Sequence, residues 1–179
     1  MGKADMKKLP QLSTELVERN VRWEYRHDRY QLPDGTEESY FYIRTLGSAL
    51  VVPQRADGRV VMVRQFRYLA QRLSLEFPGG GVRAGQSSED AARAELAEEV
   101  SLSAGVLTEL GRFSPCKGLV DEECVVYLAT QLGQATAQAD ASEELEVVDL
   151  SEAQVDAAIR DGRLWDGMSL AAWSLFRTA

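Results

Sequence analysis

The stretch from Gly79 to Leu102, GGGVRAGQSSEDAARAELAEEVSL, constrains this chain more than any other. It opens on three consecutive glycines, passes through a polar loop, and then repeats at helical spacing. Ala92, Leu96 and Val100 form a small apolar stripe suited to packing against a sheet. Glu95, Glu98 and Glu99 fall within about a third of the helix circumference, at about 100° per residue. The helix is expected to begin at Ser87 or Ser88, where a serine cap precedes Glu89 and Asp90 in the first turn. It is expected to end between Val100 and Ser103, with Gly105 just beyond as the stop.

Three acids at such spacing repel, but each exposed like pair costs only about 0.2–0.5 kcal/mol. An acidic face is therefore no site by itself. The glycines upstream change its meaning, because they permit close backbone approach and unusual dihedrals, so a backbone carbonyl can join the carboxylates. A set of hard oxygen donors without His or Cys favours Mg²⁺, with Mn²⁺ as the alternative, and both pair with phosphate oxygens.

The rest of the chain reads mostly as strands. Residues 11–19 are consistent with a short helical turn or an extended arm. Asn20 to Gln31 interleaves Trp23, Tyr25 and Tyr30 with arginines, and Leu32-Pro33-Asp34-Gly35 is a turn. Glu38 to Arg44 then returns as the second strand of a hairpin. Gly47–Pro53 and Arg59–Phe66 are apolar strands, and Ser74–Phe77 is a brief one. Arg64, Gln65 and Arg67 emerge where the second apolar strand finishes, shortly before the glycines, and are candidates for phosphate contact. Val106–Phe113 and Cys124–Thr130 are further strands, separated by the loop Ser114-Pro115-Cys116-Lys117-Gly118. Gln131 to Glu144 is polar, alanine-rich and expected to be mobile. Leu145–Leu150 resumes as a strand, followed by helices from Ser151–Glu152 to Arg160 and from Ser169 to Phe176. Strands outnumber helices, so the class is α+β, a layered α/β/α sandwich with a mixed sheet. The expected division is an N-terminal arm and hairpin over 1–45 and a main domain over 46–179.

A formal net charge of −8 argues against general binding to nucleic acid or anionic membrane. No apolar run of about 18 residues and no signal-peptide pattern is present, so the cytoplasm is the expected location. Cys116 and Cys124 fit no metal spacing and read as reduced thiols. His27 is the only histidine, so acid–base chemistry must come mainly from carboxylates.

Gly80, Glu95, Leu96, Glu98, Glu99 and Leu102 fit the pattern G-x5-E-x7-R-E-U-x-E-E-x-G-U, with U bulky and apolar. That pattern is the Nudix box, and the chain resembles the Nudix hydrolase family. Three positions depart from it: Gln86 stands for a glutamate, Ala94 for the arginine and Ser101 for the final glycine. LEFPGG (75–80), VRQFRY (63–68) and GRLWDGMSLAAW (162–173) are similar to the ADP-ribose pyrophosphatase and nucleoside diphosphate sugar hydrolase branch. The resemblance covers roughly residues 20–178. It implies the Nudix α/β/α sandwich with an N-terminal β-hairpin extension, a homodimer that exchanges this extension, and Mg²⁺-dependent hydrolysis of a nucleotide sugar such as ADP-ribose or GDP-mannose. By the same likeness Gly79, Glu95 and Glu99 hold the metal, with Glu98 beside them. Glu143 is the expected general base, with Glu144 its neighbour, and Trp23, Arg67, Gly81 and Lys117 contact substrate. The alternatives are a catalytically weak module that senses a nucleotide sugar, or a hydrolase of dinucleoside polyphosphates or nucleoside triphosphates.

Overall fold

Fourteen elements appear in the computed structural model, which describes residues 8–136 and 144–179. They divide into two compact units, one made of the N-terminal 45 residues with Cys116–Glu122, the other of Leu46–Pro115 and Glu123–Ala179.

The first unit is a sheet in the order β1 (Gln11–Arg19), β2 (Glu24–Gln31), β3 (Glu37–Arg44) and β9 (Val120–Asp121). The segment left open between helix and arm is thus a strand, antiparallel to β2. The hairpin forms where the turn residues demand it, with Gly35 at φ 91° closing the loop through its N–H to the Leu32 carbonyl at 2.9 Å. The 114–118 loop is followed by β9, which pairs in parallel with β3 through Ile43 and Val120.

The second unit holds two sheets, β7 (Gly79–Gly81), β4 (Ser48–Pro53), β10 (Cys124–Gln134) and β8 (Leu102–Phe113) in that order, and β11 (Leu145–Leu150), β5 (Val60–Arg67) and β6 (Arg72–Glu76). The first of these is mixed, because β10 runs parallel to β4 and antiparallel to β8. Alternation along the central strands sorts their side chains to two cores. Leu50, Val52, Val60, Met62, Cys124 and Val126 pack with Val155 of α2 (Glu152–Arg160) and Trp173 of α3 (Gly167–Thr178). Ala49, Val51, Val61, Val63, Val125 and Tyr127 pack with Ala92, Leu96 and Val100 of α1 (Ser88–Val100). Helices on both sides of the strands give the α/β/α arrangement, and the apolar stripe of α1 is the buried one.

Four expectations need correction. Gly79–Gly81 is a short strand antiparallel to β4, not a loop. Gly105 does not stop the helix. Ser101 does so in the left-handed conformation, and β8 begins at Leu102, four residues earlier than the apolar pattern suggested. The tract after Thr130 continues β10 to Gln134 rather than leaving the sheet, because Leu132 and Gly133 still pair with β8. Finally, α3 starts at Gly167, where Asp166 accepts the Ser169 N–H at 2.7 Å as its cap.

Candidate active site

The acidic helix is positioned by its ends. At the start, Ser87 and Asp90 form a reciprocal capping box: the Ser87 hydroxyl accepts the Asp90 N–H at 3.1 Å, and Asp90 accepts the Ser87 N–H at 3.3 Å. The Ser87 hydroxyl also donates to Asp90 Oδ2 at 2.6 Å, and this bond, followed by that from the Ser87 N–H, holds the Asp90 carboxyl below the usual aspartate range. At the other end Ser101 adopts φ 55°, ψ 36° and donates its N–H to the Ala97 carbonyl at 3.2 Å. A side chain in this conformation costs about 1 kcal/mol relative to glycine. The chain accepts that strain where the box pattern has glycine.

Two of the three acids meet the glycine strand. Gly79 donates its N–H to Glu99 Oε2 at 3.2 Å. Gly80 lies so close to Glu95 that a Cβ there would stand 2.6 Å from the carboxyl carbon. Neither Gly79 nor Gly80 has a positive φ among the glycines that do. The glycines therefore serve close approach and not an unusual backbone conformation. Gly79 faces the other way as well, since a Cβ on it would overlap the Ala49 carbonyl and come within 2.9 Å of Leu50 Cα. Gly81 continues the edge strand opposite Ser48 and is exposed.

Glu98 goes elsewhere. It lies 3.7 Å from the guanidinium of Arg83, at the other end of the polar loop. Among the described residues no three His, Cys, Asp or Glu side chains are grouped so as to hold a metal ion by themselves. Glu95 and Glu99, one helical turn apart, are the two acids that meet the backbone of β7. Ala94 leaves the position of the box arginine without a guanidinium, and Arg93 does not substitute, being held by Glu89 at 2.8 Å and the Ala104 carbonyl at 3.0 Å. Gln86 braces the loop, its amide oxygen accepting the Arg83 N–H at 3.0 Å.

Arg67 is the third component. Its guanidinium makes a two-pronged ion pair with Glu76, with Nε to Oε1 at 2.7 Å and the second prong from Nη2 to Oε2. Gln65 donates to the same carboxylate at 3.4 Å. Glu76 is 6% exposed and Arg67 46%, so a buried anion anchors a cation that reaches solvent. The Glu76 bonds raise the Arg67 pKa above its ordinary value, and the charges of Asp166 and Glu99 add to this.

Sequence reasoning assigned no role to Glu76. The available signal was an acid inside the otherwise apolar run Leu75–Pro78, which demands a partner. Glu143 lies outside the described residues. Glu144 is exposed, directly before β11, whose first residue Leu145 pairs with Gln65. In the first unit, Trp23 sits half-buried at a turn, its N–H donating to Asn20 Oδ1 at 3.0 Å, and Lys117 is exposed in the 116–119 turn.

The donor chemistry suits a hard divalent cation. Glu95 and Glu99 are half-buried oxygen donors brought to one strand of backbone, and nitrogen or sulfur ligands are no part of the arrangement.

The NUDIX domain pattern matches residues 44–165 of this chain. The chain belongs to the NUDIX domain family. It is a Nudix hydrolase, and its likeness to the ADP-ribose pyrophosphatase branch holds in the comparisons. It is 29% identical over 130 residues to an ADP-ribose pyrophosphatase of Bacillus subtilis (strain 168), covering 73% of this chain and 70% of that one. It is 28% identical over 148 residues to a methanol dehydrogenase activator of Bacillus methanolicus, covering 81% and 80%. A solved structure of an ADP compounds hydrolase shares the fold with a TM-score of 0.86 at 22% identity, covering 98% of this chain and 96% of that one. No helix among the described residues is long and apolar enough to cross a membrane.

Proposed function

We propose that this Nudix hydrolase cleaves the pyrophosphate bond of a nucleoside diphosphate sugar, ADP-ribose, GDP-mannose or a close analogue, releasing a nucleoside monophosphate and a sugar phosphate. The observation that carries the reading is the docking of Glu95 and Glu99 on Gly79–Gly80 beside the anchored Arg67. Glu95 and Glu99, with the Gly79 carbonyl, would hold Mg²⁺ or Mn²⁺, which when bound neutralises diphosphate charge and activates water. Arg67 supplies the planar, always-charged contact that a diphosphate oxygen requires, and Glu76 fixes where that contact is made. Glu98, half-buried and 3.7 Å from the Arg83 guanidinium, is proposed as an auxiliary catalytic acid on the strength of the resemblance alone. The base that accepts the water's proton is a carboxylate of the 143–144 segment. The register of β11 favours this, because Leu145 opposite Gln65 brings the start of that strand to the end of β5 that carries Arg67.

Trp23, Gly81 and Lys117 are proposed substrate contacts on the strength of the resemblance. The homodimer is proposed with one supporting feature: all nine residues of β1 are exposed, among them Leu12, Leu16 and Val17. A cytoplasmic location suits the free thiols Cys116 and Cys124.

A second reading is a module that senses a nucleotide sugar and acts on a partner protein. The absent guanidinium at Ala94 and the likeness to a methanol dehydrogenase activator favour it. Purified protein with Mg²⁺ and a panel of ADP-ribose, GDP-mannose, UDP-glucose, diadenosine polyphosphates and nucleoside triphosphates separates the two. Monophosphate release from a sugar diphosphate is expected. Tight binding of such a compound without turnover supports the sensor, and turnover confined to triphosphates or dinucleotides removes the sugar from the reading.

A further inference from the structure

The hairpin of β5 and β6 carries a second arginine that the reading above does not use. Arg72 is paired with Arg67 across the two strands. Directly opposed residues of an antiparallel pair project from the same face. That face bears Val63, which packs under α1, and then Gln65 and Arg67 as the strand leaves the core. Arg72 stands at its outer margin, so two like charges face each other at the end of this hairpin, an arrangement that is unfavourable on its own.

The two are treated differently. Arg67 is ion-paired to Glu76. Among the described residues no carboxylate pairs with Arg72; its guanidinium carbon instead lies 3.9 Å from the centroid of the Trp165 ring. Trp165 is itself fixed, donating its ring N–H to the Leu73 carbonyl at 3.0 Å across the free edge of β6. The next residue, Asp166, is one of the charges that act on Arg67, so the Trp165–Asp166 segment borders both arginines. Stacking engages the flat face of a guanidinium and leaves its in-plane N–H donors available. A cation held flat, without a counter-charge and with its donor edge open, is organised for a bidentate anion.

We propose that Arg72, laid on Trp165, is a second guanidinium contact for the substrate's diphosphate, beside Arg67. Arg67 is largely neutralised by Glu76, so Arg72 provides the net positive charge at this rim in a chain of net charge −8. Trp165 acts through Arg72 as a positioning residue. The assignment rests on the reading of Glu95, Glu99 and Arg67 as a diphosphate site, and the test separates the two.

The probe is inorganic pyrophosphate, titrated by calorimetry into the full chain in chelator-containing buffer, so that only protein groups bind it. Arg72→Gln should weaken this binding by about tenfold or more, the scale of one charged hydrogen-bonded contact, and flatten its salt dependence. Arg72→Lys should recover only part, because an ammonium neither stacks flat nor binds bidentately. Trp165→Leu, which removes the platform but not the charge, should fall between wild type and Arg72→Gln. With a nucleoside diphosphate sugar, Arg72→Gln should raise KM by a similar factor with kcat changed less than about threefold. Should Arg72→Gln fail to fold, Arg72→Lys and Trp165→Leu carry the same comparison. Pyrophosphate affinity identical in wild type and these variants overturns the proposal, even if sugar diphosphates are hydrolysed. Arg72-dependent pyrophosphate binding in a protein that turns over no sugar diphosphate supports the subsite and removes the substrate reading instead.

Discussion

Gly79 and Gly80 are adjacent on one strand, yet a methyl group at each should do opposite things. At Gly80 the three atoms nearest the added carbon all belong to the Glu95 carboxylate, whose carboxyl carbon would stand 2.6 Å away, where 3.4 Å begins ordinary contact. The carboxylate must therefore retreat by about 1 Å. It is the far end of a flexible side chain, so the fold absorbs the change by a rotamer shift costing about 0.5–1.5 kcal/mol. For a domain of this size that lowers Tm by roughly 1–6 °C. Chemistry is less forgiving: a misplacement of about 1 Å in a catalytic group can cost on the order of 100-fold. At Gly79 the same methyl meets backbone, the Ala49 carbonyl and Leu50 Cα, which cannot retreat without separating β7 from β4. Gly80→Ala is thus expected to fold cooperatively with kcat/KM reduced by about 100-fold, and Gly79→Ala to lose stability first. Thermal unfolding monitored by circular dichroism, paired with steady-state release of nucleoside monophosphate, makes the comparison. A Gly80→Ala enzyme with wild-type kcat/KM would show that the close approach of Glu95 to this strand has no part in the reaction.

Glu76→Gln removes the charge from a carboxylate that is 6% exposed and leaves Arg67 with a weaker partner. A buried pair broken at one end costs about 3–5 kcal/mol, but Arg67 reaches water, which brings the expectation to about 1–2 kcal/mol in chemical denaturation together with a higher KM. An unchanged midpoint would mean that the ion pair adds nothing to stability. Ser101→Gly relieves the left-handed cap and should stabilise the protein by about 0.5–1 kcal/mol, measured as a rise in Tm; a fall would show that the serine side chain has a use at this terminus. Asp156, held below the ordinary aspartate range by the Trp173 ring N–H and then by Arg177, binds its proton less readily folded than unfolded. The stability contributed by Asp156 and Asp90 is therefore complete above the unfolded pKa and fades as pH falls through the lower folded values, so that urea midpoints should drop below about pH 4 and Asp156→Asn should drop less steeply there.

The apolar runs of β4 and β5, the helix spacing of α1 and the serine caps of α1 and α2 are local properties, and they were readable from the residues alone. The ends of α1 show the limit. Ser87 announces its cap by a side chain, whereas Ser101 takes a glycine-like conformation that nothing in its own chemistry announces. β1 was ambiguous because all nine of its residues remain exposed, so no face supplies a period. The carboxylate helix was legible as a candidate site. Its partition was not: which acids turn to the glycines and which to Arg83 depends on the register of β7 against β4 and on the path of the loop at 82–87. The Arg67–Glu76 pair was hidden for a similar reason, since residues nine apart meet only through the pairing of β5 with β6. Arg72 and Trp165 are about half the chain apart, and their contact has no local signal at all.

We propose that Glu95 and Glu99, docked on Gly79–Gly80, would hold the divalent metal needed for hydrolysis of a nucleoside diphosphate sugar. The most direct measurement is the rate of nucleoside monophosphate release from ADP-ribose with saturating Mg²⁺, wild type against Glu99→Gln, each confirmed folded by its unfolding midpoint. The account predicts Mg²⁺-dependent release by the wild type and a loss of about 100-fold or more in the variant, with the midpoint nearly unchanged. A Glu99→Gln enzyme that releases monophosphate at a near-wild-type, Mg²⁺-dependent rate would contradict it.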